Sequence, residues 1–396
     1  MLNTNLSQWP SFTEEERDAV SKVLMSNKVN YWTGDEGRKF EKEFAEYTDT
    51  EYAIALSNGT LALDLSLHAL GVGEGDEVIV TPRTFLASVS SVITAGAIPV
   101  FADIDLNSQN IEAETISSVI TNKTKAIIVV HLAGMPAEMD AIMELAEQHA
   151  IYVIEDCAQA HGAKYKGRSV GSIGHIGAWS FCQDKIMTTG GEGGMVTTND
   201  KKMWEKMWSY KDHGKSWDAI YHKSHPPGFR WLHESFGTNW RLTEMQSAIG
   251  RIQLTRMSNW SNERRKNAMM IDDVAKDFKV VRTTNIPAYI EHAEYKHYIF
   301  VETNYLAEGW TRDKIVDELN QLDIPCYQGS CSEVYLEKAF DNTGYRPIDR
   351  LKNAKLLGET SLMFLVHPTI NETEMLHVCS SLRSVLLKAS NNKGIK

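Results

Sequence analysis

The chain has 396 residues, 42% of them hydrophobic and 23% charged, an ordinary composition for a soluble globular protein and a length at which two domains are expected. Its formal net charge of −11 at pH 7 argues against nucleic acid as the main partner, because a phosphate backbone is held by clustered Lys and Arg.

The chain opens M-L-N-T-N-L-S-Q-W-P, with neither the basic nor the apolar region of a secretory leader. Residues 13 to 27 predict a helix: Thr13 is a candidate N-cap, Glu14 to Glu16 suit the positive helix end, and Val20, Val23 and Leu24 share a face. A second helix is predicted over 58–70, entered through a glycine turn. The pattern then alternates, with strands at 77–80, 98–104, 126–130 and 152–156 and helices at 85–95 and 138–149. Apolar strands alternating with amphipathic helices predict a mainly parallel sheet covered on both faces, with ligands at the carboxyl ends of the strands. Thr81 to Phe85, His131 to Gly134 and Asp156 are therefore expected around one pocket.

From about Leu254 the texture changes to a charged helix (Met257 to Lys276), strand signals at 279–281 and 297–301, and a helix at 312–322. The expectation is a large α/β domain over 1–255 and a smaller α+β domain over 256–396. No apolar run is long enough to cross a bilayer. The five cysteines (157, 182, 326, 331, 379) show neither C-x-x-C nor a zinc spacing, so a reduced, cytoplasmic setting is expected and no metal.

Four stretches carry chemistry. In S-N-G-T-L-A-L, Gly59 and Thr60 open a helix, where free N–H groups either hold an anion or simply make a turn. In I-E-D-C-A-Q-A-H-G-A, Glu155 and Asp156 end a buried strand and point to opposite faces, so one of them serves the pocket. Asp156 is the better candidate, either hydrogen-bonded to a loop or holding a ring nitrogen protonated. In S-F-C-Q-D-K-I-M-T-T-G-G-E-G-G-M-V, Lys185 follows Ser180 by five residues and precedes glycines that permit close backbone approach. In G-T-N-W-R-L-T-E-M-Q, a polar loop enters a helix with Thr243 as N-cap and Gln246 as capping-box partner.

The order and spacing of these four stretches resemble the DegT/DnrJ/EryC1/StrS family of fold-type-I, pyridoxal-phosphate-dependent nucleotide-sugar aminotransferases. The likeness runs from about Pro10 to Pro368, and F-E-K-E-F-A-E-Y, H-L-A-G-M-P-A-E-M-D and S-L-M-F-L-V-H-P also carry it. The resemblance implies a mainly parallel seven-stranded sheet between helices, with a smaller carboxyl-terminal domain. It implies Lys185 as the amine that bonds C4′ of pyridoxal phosphate and moves the proton, and Asp156 as the partner of the ring nitrogen. Gly59, Thr60 and Ser180 match phosphate ligands, and Gln159 a residue lying near the ring's O3′. Phe85 matches the aromatic that covers the ring, although T-P-R-T-F is one residue shorter than the family's P-x-x-T-F, which makes Arg83 a candidate substrate contact. Asn239 matches a residue supplied by the neighbouring subunit, which implies a homodimer with shared active sites.

The implied reaction is a ping-pong transamination with L-glutamate as donor, 2-oxoglutarate as first product and pyridoxamine phosphate between the half-reactions. Segments 210–235 and 326–340 are similar to those of enzymes that aminate a nucleoside-diphosphate-linked 4-keto-6-deoxyhexose at C4. The likeness is closest to the dTDP-4-amino-4,6-dideoxyglucose (viosamine) transaminase type. His213, Lys215, Arg230 and Tyr327 are then either diphosphate or hexose contacts, or loop residues without a ligand. A C3 aminotransferase acting on a 3-keto sugar is the nearest alternative. A sugar 3-dehydratase of the same fold is disfavoured because that branch carries histidine where Lys185 stands, or has cysteines spaced for a cluster.

Overall fold

The computed structural model describes residues 6–392, apart from 225–227 and 229, together with residue 394. Its larger sheet has seven strands: β1 (Tyr52–Leu56), β2 (Glu77–Val80), β3 (Ile98–Phe101), β4 (Thr124–Val130), β5 (Tyr152–Asp156), β8 (Ile176–Ser180) and β9 (Gly194–Thr198). A short hairpin, β6 (Lys164–Tyr165) and β7 (Arg168–Ser169), lies between β5 and β8 in the chain. The spatial order is β1-β9-β8-β5-β4-β2-β3. β8, β5, β4, β2 and β3 run parallel, while β9 is antiparallel to both β8 and β1. The parallel strands are apolar almost end to end because helices cover both faces, and Ala126 through Val130 are buried without a break. The register sets Val130 opposite Asp156, and Asp156 opposite Ala178, so the carboxyl ends of β4, β5 and β8 finish on one edge.

The predicted helix starts are real where a capping residue signals them. Thr13 caps Glu14–Met25 and forms a reciprocal box with Glu16, and Thr243 does the same with Gln246. The helix expected over 85–95 runs only Ala87–Thr94, because Phe85 lies in the turn that leads into it. The strand expected over 98–104 ends at Phe101, and the signal at 279–281 belongs to a strand shifted by two residues, Val281–Thr283.

The charged helix placed at 257–276 is the second half of one 32-residue helix, Glu244–Ala275, about 48 Å long. Met257 and Trp260 pack in the core of the large sheet, whereas Ala268, Ile271, Val274 and Ala275 pack in the core of the carboxyl-terminal region. Residue 255, where we propose that the domains divide, therefore falls inside a continuous helix. Beyond it, β10 (Val281–Thr283), β12 (His297–Val301), β14 (Ser361–Phe364) and β13 (Cys326–Tyr327) form a four-stranded antiparallel sheet in that order. The short β11 (Ile290–Glu291) instead pairs with β6. The two regions also share apolar packing, since the Phe101 ring meets Tyr335 at 5.3 Å and Phe340 at 6.1 Å.

Candidate active site

A cleft of about 660 Å³ opens where β5 and β8 end, against the amino terminus of helix Gly59–Ala69. Asn58 caps that helix by accepting from the Leu61 amide. The amides of Gly59 and Thr60 belong to the first turn and have no carbonyl one turn back. Both residues line the cleft, so the positive end of the helix faces its interior. Sequence dictates this close approach: a Cβ on Gly59 would lie 2.5 Å from Ser180 Cβ, and one on Gly194 would lie 2.2 Å from the Asn58 carbonyl oxygen. Glycine at both positions lets the helix start sit directly on the ends of β8 and β9, beside the Ser180 hydroxyl.

Glu155 and Asp156 divide as strand alternation requires. Glu155 turns away from the cleft, fully buried, with His131 Nε2 at 2.9 Å and the amides of Ile173 and Gly174 at 2.8 and 2.6 Å. Asp156 lines the cleft and is 6% exposed. Its Oδ2 accepts from Ser88 Oγ at 2.8 Å and its Oδ1 from the Ala158 amide at 3.1 Å. Burial raises its carboxyl above the ordinary Asp value, and the Ser88 hydroxyl, the Ala158 amide, Lys185 and His131 each oppose that rise.

Lys185 reaches the same cleft with its side chain 16% exposed. Its Nζ lies 3.6 Å from Asp184 Oδ1 and 5.1 Å from the ring centroid of Tyr295, whose hydroxyl donates to Asp184. The Lys185 carbonyl accepts from the Trp9 indole at 2.8 Å, which ties the lysine's backbone to the amino-terminal segment. Gln159 also lines the cleft. Its Oε1 accepts from the Ala133 amide at 2.8 Å, leaving its NH₂ to donate. Phe85 stands at the lip, 72% exposed.

The cleft thus gathers Gly59, Thr60, Phe85, Asp156, Gln159, Ser180 and Lys185. It does not include Arg83, which differs from the sequence expectation. The Arg83 guanidinium is fully buried, donating to Gln109 Oε1 at 3.0 Å and Ser361 Oγ at 2.9 Å and lying 5.5 Å from the Tyr298 ring. It joins the two sheets instead of facing a ligand. Of the segments expected around the pocket, only Thr84 and Phe85 line it; His131 is committed to Glu155, and Ala133 to Gln159. His213, Lys215, Arg230 and Tyr327 also lie off the cleft. His213 and Arg230 are exposed, and Tyr327 is half-buried on β13. Lys215 is buried with Nζ 2.9 Å from Asp212 Oδ1 and 4.2 Å from the Trp32 ring. Asn239 is exposed on the loop before helix Glu244–Ala275, bridged to Asp212 and away from the cleft of its own chain. Residues 225–227 and 229, within the segment expected to read the sugar, lie outside the described residues.

Sequence reasoning missed Ser88 and the Asp184–Tyr295 pair, and it set Thr84 near the pocket without a partner for its hydroxyl. Ser88 and Thr84 are four residues apart around a helix start, a spacing that signals adjacency but not what the hydroxyls face. Tyr295 arrives from more than a hundred residues away.

An amine, a buried carboxylate and a helix start converging on one cleft fit a phosphorylated pyridine aldehyde. The helix start and Ser180 would hold its phosphate, Asp156 would face its ring nitrogen, and Lys185 would bond its aldehyde carbon. Similarity to known proteins identifies the family. The profile of the DegT/DnrJ/EryC1/StrS aminotransferase family matches residues 10–383. GDP-perosamine synthase of Escherichia coli O157:H7 is 35% identical over 378 residues, covering 94% of this chain and 96% of that one. The dTDP-3-amino-3,4,6-trideoxy-alpha-D-glucose transaminase of Streptomyces venezuelae is 38% identical over 246 residues, 62% of this chain and 61% of that one. Among solved structures, an aminotransferase from Psychrobacter cryohalolentis superposes with a TM-score of 0.95 at 61% identity, covering 98% of this chain and all of that one. The fold is that of a pyridoxal-phosphate-dependent aminotransferase. The chain belongs to the DegT/DnrJ/EryC1/StrS aminotransferase family.

Proposed function

We propose that this aminotransferase acts on a nucleotide-linked keto-sugar. Its substrate is a nucleoside-diphosphate 4-keto-6-deoxyhexose, dTDP-4-keto-6-deoxy-D-glucose in particular, aminated at C4 with L-glutamate as donor. The observation that carries the reading is the convergence of Lys185, Asp156 and the start of helix Gly59–Ala69 on one cleft. Relatives named as GDP-perosamine synthases, one from Escherichia coli O157:H7 and one from Caulobacter vibrioides, match nearly the full chain and support a nucleotide sugar as substrate.

Bound pyridoxal phosphate supplies an aldehyde that amines exchange on and a protonated ring that accepts the electron pair left when a substrate carbon loses its proton. Asp156 acts by charge: its anionic form favours a proton on the facing ring nitrogen. Lys185, freed once the donor amine takes its place, would be within reach as a base to take the proton from the donor's α-carbon and to return it at C4′. Such a positioned amine accelerates the transfer by about 10² to 10⁴. In the second half-reaction Lys185 moves a proton the other way, onto the sugar carbon that receives the amine. Phe85 at the lip covers the ring face, and Asn239 completes the site of a neighbouring copy in a homodimer.

The test is an amination assay on purified protein with L-glutamate and dTDP-4-keto-6-deoxy-D-glucose, the product being read by NMR. An equatorial amine at C4 is expected. A preparation with the absorbance of lysine-bound cofactor but no amination of this sugar would transfer the proposal to a GDP-linked, UDP-linked or 3-keto substrate. The 3-keto alternative has support of its own, because relatives named for chemistry at C3 match 62% and 64% of the chain.

A further inference from the structure

Asp156 rests on a directed line of hydroxyls. Ser88 Oγ is 2.8 Å from Asp156 Oδ2 and donates to it, which commits the only hydroxyl proton Ser88 has. Thr84 Oγ1, 2.8 Å from Ser88 Oγ, must then be the donor of that second bond. Both residues line the cleft and are at most 2% exposed. The line does not end in the large sheet. The Thr84 amide donates to the Cys331 carbonyl at 3.2 Å, and the Val334 amide donates back to the Pro82 carbonyl at 2.9 Å. Two backbone bonds therefore strap the Thr84 turn to segment 331–334 of the carboxyl-terminal region.

We propose that Ser88, oriented by Thr84, is the positioning residue that keeps Asp156 anionic and aimed into the cleft. This rests on the reading of Asp156 as partner of the cofactor's ring nitrogen. Oδ1 is occupied by the Ala158 amide and Oδ2 by Ser88, and the lone pairs left over are those available to a ring N–H. Without Ser88 the carboxylate keeps only the longer bond from the Ala158 amide in a buried position, where burial favours the neutral acid. A neutral Asp156 cannot hold a proton on the ring nitrogen by charge. The charged or titratable groups near Asp156 are Lys185, His131 and Cys157, and all three stay in place when Ser88 changes.

The test is the equilibrium affinity of the apoprotein for pyridoxal phosphate, measured from pH 5 to 9 for the parent, Ser88→Ala, Ser88→Thr and Asp156→Asn. The cofactor's own titrations are common to all four, so the differences report on the protein. Ser88→Ala is expected to shift the acidic fall-off in affinity upward by about one pH unit, the effect of one charge-assisted hydrogen bond. Ser88→Thr, which keeps the hydroxyl, is expected to follow the parent. Asp156→Asn is expected to bind weakly, with that fall-off abolished. A uniform loss of affinity in Ser88→Ala with no shift of its midpoint would reduce Ser88 to a packing role and overturn the proposal. Parent-like binding by Asp156→Asn would instead overturn the role of Asp156 itself.

Discussion

At the scale of single residues, groups proposed to meet the cofactor differ in their surroundings from groups that hold the protein together. Lys185→Ala is expected to lower turnover at least 10²-fold while leaving the thermal midpoint near that of the parent, because its Nζ makes a loose 3.6 Å ion pair and a 5.1 Å contact with the Tyr295 ring. Retained turnover in single-turnover and steady-state assays would remove Lys185 from the chemistry. Arg83→Ala has the opposite profile. It leaves Gln109 Oε1 without its partner in a sealed position, while Ser361 keeps its bond to the Leu357 carbonyl, and is expected to cost about 3 kcal/mol of stability, seen in denaturant melts, with the sugar KM little changed. A raised KM with unchanged stability would return Arg83 to the substrate. Lys185, Asp156 and Gly59 were legible in the sequence because each breaks a local rule, as a lone amine, an acid ending an apolar strand or a glycine opening a helix. Ser88 breaks none, so only the assembled fold reveals its partner.

At the scale of elements, helix starts were legible at Thr13 and Thr243, whose side chains close the backbone. Boundaries were not legible where packing decides. The long helix looked like two pieces because it buries a large-domain face as far as Trp260 and a different one from Ala268 onward. What fixes this helix to the second sheet includes a buried charge cluster. His297 Nε2 on β12 lies 2.9 Å from Asp272 Oδ1 on the helix, and its Nδ1 lies 3.1 Å from Glu294 Oε2. Burial alone would lower the imidazole's pKa, but the two carboxylates outweigh it and lift it from 6.5 to about 10. A group raised on folding contributes its full stability below pH 6.5 and loses it as the pH climbs through 10. His297→Gln is therefore expected to be less stable than the parent by about 3 kcal/mol at pH 6, with the deficit narrowing by pH 10. An equal deficit at both pH values in paired melts would show that packing, not charge, is what His297 supplies.

At the scale of the whole molecule, the exposed position of Asn239 makes a shared site directly testable. If each cleft takes its lysine from one chain and its asparagine from the other, Lys185→Ala and Asn239→Ala proteins, each weak alone, should regain activity when unfolded together and refolded as a mixture. One site of each mixed dimer then holds both native residues. No recovery, with mixed dimers shown by mass spectrometry, would confine each site to a single chain.

The unbroken helix Glu244–Ala275 also bears on how this scaffold can be re-engineered. A graft that joined one relative's amino-terminal half to another's carboxyl-terminal half near residue 255 would cut through a rod whose two ends are keyed to different cores. Whatever is exchanged between relatives, the rod is better taken whole from one parent. Chimaeras with crossovers outside 244–275 should express as folded protein far more often than those spliced within it.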